Sequence, residues 1–87
     1  MNIDKNATII DVRTAEEFAD QHVPGAINIP LDQLFERIDE LKGVSRPIVA
    51  YCRVGNRSGI AVALLRQQGI LDVINGGGIE DMLVSTK

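Results

Sequence analysis

One stretch of the chain could do chemistry: Cys52-Arg53-Val54-Gly55-Asn56-Arg57-Ser58. Cys52 is the sole cysteine, so it has no partner for an intramolecular disulfide, and with a single histidine it cannot build a zinc finger. The segment follows a short apolar run and precedes a helical pattern. A loop that closes into a helix N-terminus turns several backbone N–H groups toward one point. Gly55 permits backbone conformations that bulkier residues resist. Arg53 and Arg57 add positive charge. All three features favour an anion, so the thiol is expected to ionise more readily than a free cysteine, by about one unit.

A thiolate in a cradle of N–H groups can attack sulfur and hold the transferred atom as a persulfide. It can also attack phosphorus and hold a phosphoryl group. A phosphoryl group brings three oxygens and needs a wider ring. Cysteine phosphatases of the common type place one more residue between cysteine and arginine than the four found between Cys52 and Arg57. The tighter ring suits a single sulfur atom. The plainer reading, a cysteine packed as a small hydrophobe at a strand end, requires neither the arginines nor the glycine.

The elements that must position this loop alternate between short apolar runs and helical patterns, which points to an α/β architecture. Thr8–Val12 is β-branched and apolar, and reads as a buried strand. Thr14-Ala15-Glu16-Glu17 is a capping-box pattern that opens a helix to about Asp20. Val23-Pro24-Gly25 marks a turn, and Ala26–Ile29 a second strand stopped by Pro30. Leu31, Leu34, Phe35, Ile38 and Leu41 fall on one helical face, with Gly43 as its stop. Glu36, Arg37, Asp39 and Glu40 make its solvated side. Ile48–Tyr51 is a third strand that runs directly into Cys52. Ser58–Gln68 looks helical, with Ile60, Ala61, Leu64 and Leu65 on the packed side. Leu71–Ile74 gives a fourth strand, Gly76-Gly77-Gly78 turns the chain, and Ile79–Val84 forms a terminal helix. These units imply a mainly parallel sheet covered by helices, whose ligands sit outside the carboxyl ends of the strands. Cys52 lies at such an end.

Composition bounds the rest. With 87 residues the chain is expected to form one domain over residues 1–87. Hydrophobic residues make up 45% of it, too many for a disordered chain. The net charge of −3 and only 3% aromatics argue against a nucleic-acid surface. Apolar runs are far too short to span a bilayer, and no signal peptide is visible, so no membrane partner is expected. Without a second cysteine, a persulfide on Cys52 must pass its sulfur to an acceptor from outside the chain.

Other residues carry weaker signals. Asp11 and Arg13 could support the loop from the neighbouring strand end, or form an ion pair or cap, with Arg13 reaching Glu17. His22 is the only histidine, yet it sits in a block that reads as structural rather than as a general base. The glycine run lacks the Lys-Ser/Thr of a phosphate-binding P-loop. Ser58 reads as a helix cap whose hydroxyl could also bond a bound sulfur.

Four ordered blocks resemble the rhodanese-like sulfurtransferase domain: IIDVRTAEEF (Ile9–Phe18), HVPGAINIP (His22–Pro30), IVAYCRVGNRS (Ile48–Ser58) and LLRQQGILDVINGGG (Leu64–Gly78). The resemblance covers about Ile9 to Asp81 and is strongest to the small stand-alone members of the phage shock protein E type. Many members carry a tryptophan after the glycine turn, where this chain has Met82. The resemblance implies a central, mainly parallel sheet of about five strands flanked by helices. It implies Cys52 as sulfur carrier, with the main-chain N–H groups of Arg53, Val54, Gly55, Asn56, Arg57 and Ser58 around the persulfide. Arg53 and Arg57 would attract thiosulfate and stabilise departing sulfite, and Asp11 and Arg13 would support the loop. No metal or organic cofactor is implied. The implied partners are thiosulfate and a small thiol or thiol-protein acceptor, met by a monomer. The phage-shock type is commonly exported, so the expected compartment is periplasmic if a leader has been removed and cytoplasmic otherwise. The alternatives are a persulfide carrier without efficient turnover, and a phosphatase or arsenate reductase on the same fold.

Overall fold

The computed structural model describes residues 3–85. Strand β1 (Thr8–Asp11) leads into helix α1 (Ala15–Asp20), then β2 (Ile27–Asn28). Helix α2 (Leu31–Leu34), a 3-10 turn (Phe35–Arg37) and α3 (Ile38–Lys42) follow. Next come β3 (Ile48–Cys52), α4 (Asn56–Gln67), β4 (Val73–Gly78) and α5 (Ile79–Ser85). The strands form one sheet of order β2-β1-β3-β4, with every adjacent pair parallel. Among the described residues the sheet has four strands, not the expected five or so.

Each parallel pair needs a crossover, and the crossovers cover both faces. Strand β3 lies at the centre and is buried along its whole length. Its alternate residues separate the core into two layers. Ile48, Ala50 and Cys52 face the larger cluster with Ile10, Leu34, Leu41, Ala61 and Leu65. Val49 and Tyr51 face the smaller one with Val23, Ile79 and Met82. Met82 is 1% exposed, so it fills core volume at the place where tryptophan is common in the resembled family.

Several expectations need correction. The pattern Leu31 to Leu41 is not one helix: the 3-10 turn tightens it in the middle and leaves Phe35 65% exposed. Ile60 is 59% exposed rather than packed, because the buried stripe of α4 runs through Ser58, Ala61, Val62 and Leu65 and leaves Ile60 beside it. The fourth strand is Val73–Gly78, not Leu71–Ile74, and Leu71 is exposed. The glycine run is therefore part of a strand and not a turn. Tyr51 pairs with Gly77 and Cys52 with Gly78. The glycines let β4 pass against the loop after β3: a Cβ on Gly78 would lie 2.5 Å from the Arg53 carbonyl oxygen. No described helix is long and apolar enough to cross a membrane.

Candidate active site

Cys52 is the last residue of β3, at the carboxyl end of the central strand. The chain then folds back through Arg53, Val54 and Gly55 into α4. Gly55 is the N-cap of that helix with φ 104°, in the left-handed region that only glycine enters at low cost. This turn brings N–H groups back over the sulfur. The Gly55 N–H donates to Cys52 Sγ at 3.0 Å and the Ser58 N–H at 3.4 Å. The Ser58 hydroxyl oxygen lies 3.4 Å from the same sulfur.

Two opposing effects act on the thiol. Burial pushes its pKa up, because Cys52 is only 1% exposed. The backbone N–H groups of Ser58, Gly55 and Val54 favour the thiolate, and the pKa lies below that of an ordinary thiol. The amides thus converge on the sulfur, although its own surface is nearly covered. Around the sulfur, the Arg53, Val54 and Asn56 residues of the loop are exposed.

Ser58 is not a helix cap. It lies inside the first turn of α4, fully buried, and its one hydroxyl proton is directed at Asn75 Oδ1, 2.7 Å away, with the Gly55 carbonyl at 3.1 Å as the next acceptor. Arg57 does not stand free beside the sulfur as expected. Its guanidinium makes two bonds to the Glu17 carboxylate, at 2.7 and 3.1 Å. The expected pairing of Arg13 with Glu17 is thereby replaced. Glu17 serves twice: its Oε1 also accepts from the Thr14 N–H, completing the capping box of α1. The Arg57 guanidinium holds the Glu17 pKa down at about 2. A depressed carboxylate stabilises the fold above its unfolded pKa, near 4.5, and that contribution is lost as pH falls toward 2. The sequence offers Glu17 as a cap or as a partner for Arg13, and nothing local links it to Arg57, 40 residues away.

Asp11 and Arg13 form a buried ion pair beside the end of β3. Asp11, at the end of β1, pairs with Tyr51, the residue before Cys52. Its carboxylate holds the Arg13 guanidinium at 2.7 Å and accepts from the Tyr51 hydroxyl at 2.6 Å. Tyr51 in turn accepts from the Val23 N–H, and Arg13 donates to the Gln21 carbonyl. Burial, then the bond to Asp11, raises the Tyr51 pKa well above that of a free phenol. His22 stacks on Phe18 at 3.8 Å and its Nδ1 lies 2.8 Å from the Phe18 carbonyl, an arrangement that finishes α1. Among the described residues no group of three or more His, Cys, Asp or Glu could hold a metal.

The Glu17–Arg57 pair makes a definite prediction. Arg57→Ala removes the cation that interacts with the Cys52 charge and leaves Glu17 uncompensated, so the Cys52 pKa should rise by about one unit. Alkylation rates measured across pH would show it, and adding Glu17→Gln should return most of the shift. An unchanged profile would remove Arg57 from the electrostatics of the site.

The sequence profile of the Rhodanese-like domain family matches residues 1–82. Over 74 residues the chain is 40% identical to the Thiosulfate sulfurtransferase PspE of Escherichia coli (strain K12), covering 84% of this chain and 71% of that protein. It is 38% identical over 72 residues to the Putative sulfur carrier protein YrkF of Bacillus subtilis (strain 168), covering 83% of this chain but only 38% of that longer protein. A solved structure described as a rhodanese with anions from E. coli superposes with a TM-score of 0.79 at 39% identity, covering 86% of this chain and 89% of that one. With the parallel sheet and the strand–loop–helix around Cys52, these matches establish that the chain belongs to the rhodanese-like domain family of sulfurtransferases.

Proposed function

We propose that the chain moves sulfane sulfur from thiosulfate to a cyanide or thiol acceptor through a Cys52 persulfide. The observation that carries this reading is the pair of N–H donors, from Gly55 and Ser58, on Cys52 Sγ. In the first half-reaction the Cys52 thiolate attacks the outer sulfur of thiosulfate. A new S–S bond forms, the old one breaks, and sulfite leaves with its electron pair. The loop N–H groups then face the charge that now resides on the outer sulfur. In the second half-reaction the acceptor attacks that outer sulfur. The persulfide bond breaks and its electron pair returns to Cys52 as thiolate. Cyanide becomes thiocyanate, or a thiol becomes a persulfide. Arg53, exposed on the loop, attracts the dianionic donor. The family membership and the name of the 40%-identical PspE support thiosulfate as donor.

Steady-state assays with thiosulfate and cyanide test the proposal. Parallel double-reciprocal lines are expected, because sulfite leaves before the acceptor reacts. Release of phosphate from an aryl phosphate faster than sulfur transfer would overturn it in favour of the phosphatase alternative. Sulfur loading without release to cyanide or any small thiol would replace turnover by carriage to a partner protein.

A further inference from the structure

Asn75 lies on β4 and belongs to none of the features from which the loop was read. Strand β4 carries an irregularity beside it: Ala50 pairs with Asn75, but the next residue, Tyr51, pairs with Gly77. Gly76 is thus an extra residue, and such a bulge re-aims the side chains next to it. The Asn75 carboxamide points at the sulfur cradle. Its Nδ2 donates to the Gly55 carbonyl at 3.1 Å, and its Oδ1 accepts from the Ser58 hydroxyl at 2.7 Å. The Gly77 N–H also donates to Oδ1, at 2.9 Å. That third bond, with the donor requirement at Gly55, fixes which end of the amide faces Ser58. Gly55 and Ser58 both donate their N–H groups to Cys52 Sγ. One side chain therefore holds both arms of the cradle, from a strand outside the loop.

We propose that Asn75 is the positioning residue of the sulfur site, aiming the cradle at Cys52 through Gly55 and Ser58. Asn75 does not touch the sulfur. Its Oδ1 anchors the Ser58 side chain so that the Ser58 N–H stays on Sγ. Its Nδ2 holds the plane of the Gly55–Asn56 peptide, where the chain enters α4. Without the carboxamide the two donors lose their common anchor, and burial, which disfavours thiolate, acts with less opposition. The proposal deepens the reading of Cys52 as a sulfur carrier and rests on it for the loading step only.

The test is the pH profile of Cys52 alkylation by iodoacetamide in the intact chain, with sulfur loading from thiosulfate measured separately. Asn75→Ala is expected to raise the thiol pKa by about one unit, which leaves roughly tenfold less thiolate below the pKa. Asn75→Asp keeps the shape and the Oδ1 acceptor. It loses the donor to Gly55 and adds a like charge, so it should raise the pKa further. In a Ser58→Ala background, Asn75→Ala should shift the pKa by less than it does alone, because one of its two arms is already gone. Melting curves on each variant confirm that a folded protein is being titrated. A pKa unmoved in both folded Asn75 variants would overturn the proposal. So would a lowered pKa in Asn75→Ala, which would mean that Asn75 competes with the sulfur for the Ser58 proton. If thiosulfate never loads the wild type, the reading of Cys52 as carrier fails, while the alkylation profiles still decide the role of Asn75.

Discussion

Asp11→Ala is expected to lower the unfolding free energy by about 3–5 kcal/mol, the usual cost of removing one partner from a buried ion pair. Asp11 is fully buried and Arg13 is 5% exposed, so the guanidinium left behind has no water to replace the carboxylate. The bonds lost are several. Arg13 Nε lies 3.0 and 3.1 Å from the two carboxylate oxygens, and Nη2 lies 2.7 Å from Oδ2. The Tyr51 hydroxyl loses its acceptor as well, inside the smaller core layer. Domains of this size are stable by about 5–15 kcal/mol, so the variant gives up a large part of its margin. Chemical denaturation at neutral pH measures the loss as a shift in midpoint at constant slope. A change below about 1 kcal/mol would show that the guanidinium left behind finds water or another partner. Asp11→Asn, which keeps an acceptor for Tyr51 without the charge, should fall between the two. Because Tyr51 precedes Cys52, the same variants should also disturb the carboxyl end of β3.

What could be read in the sequence and what could not divide along the distance between interacting residues. The Cys52–Ser58 loop was legible because its chemistry is contiguous: strand, nucleophile, glycine and helix start lie within one short segment. The capping box at Thr14 and Glu17 was legible for the same reason, and the structure forms both of its bonds. The fates of Glu17 and Arg57 were not legible, since their contact depends on how α1 sits over α4. Charge alone gave Glu17 a choice of cations, and Arg13 was already engaged by Asp11. Asn75 was hidden by the glycines that follow it. Glycine is common in turns, and only the close approach of β4 to the loop explains why a strand uses it there. Phe35 and Ile60 fit a helical face by spacing, yet a 3-10 turn at Phe35 and a buried stripe of α4 that passes beside Ile60 leave them in solvent. Helical period assigns residues to a face, and the width of the covered stripe is set by packing that a single sequence does not contain.

The second large effect concerns Cys52 itself. Cys52→Ser replaces the nucleophile by a hydroxyl that remains protonated at neutral pH and cannot form a persulfide, so sulfur transfer should fall to background. The substitution keeps a small side chain under the Gly55 and Ser58 N–H donors and should leave the fold intact. The lowered thiol pKa adds a sign. Loading should increase with pH as thiolate forms and level off below the range where an ordinary cysteine titrates. Intact-mass measurement after exposure to thiosulfate, followed by cyanide, tests the central claim most directly. The wild-type chain is expected to gain the mass of one sulfur atom and lose it again on addition of cyanide, while Cys52→Ser gains none. Sulfur added equally to both chains, or to neither while Cys52 still alkylates, would contradict the account.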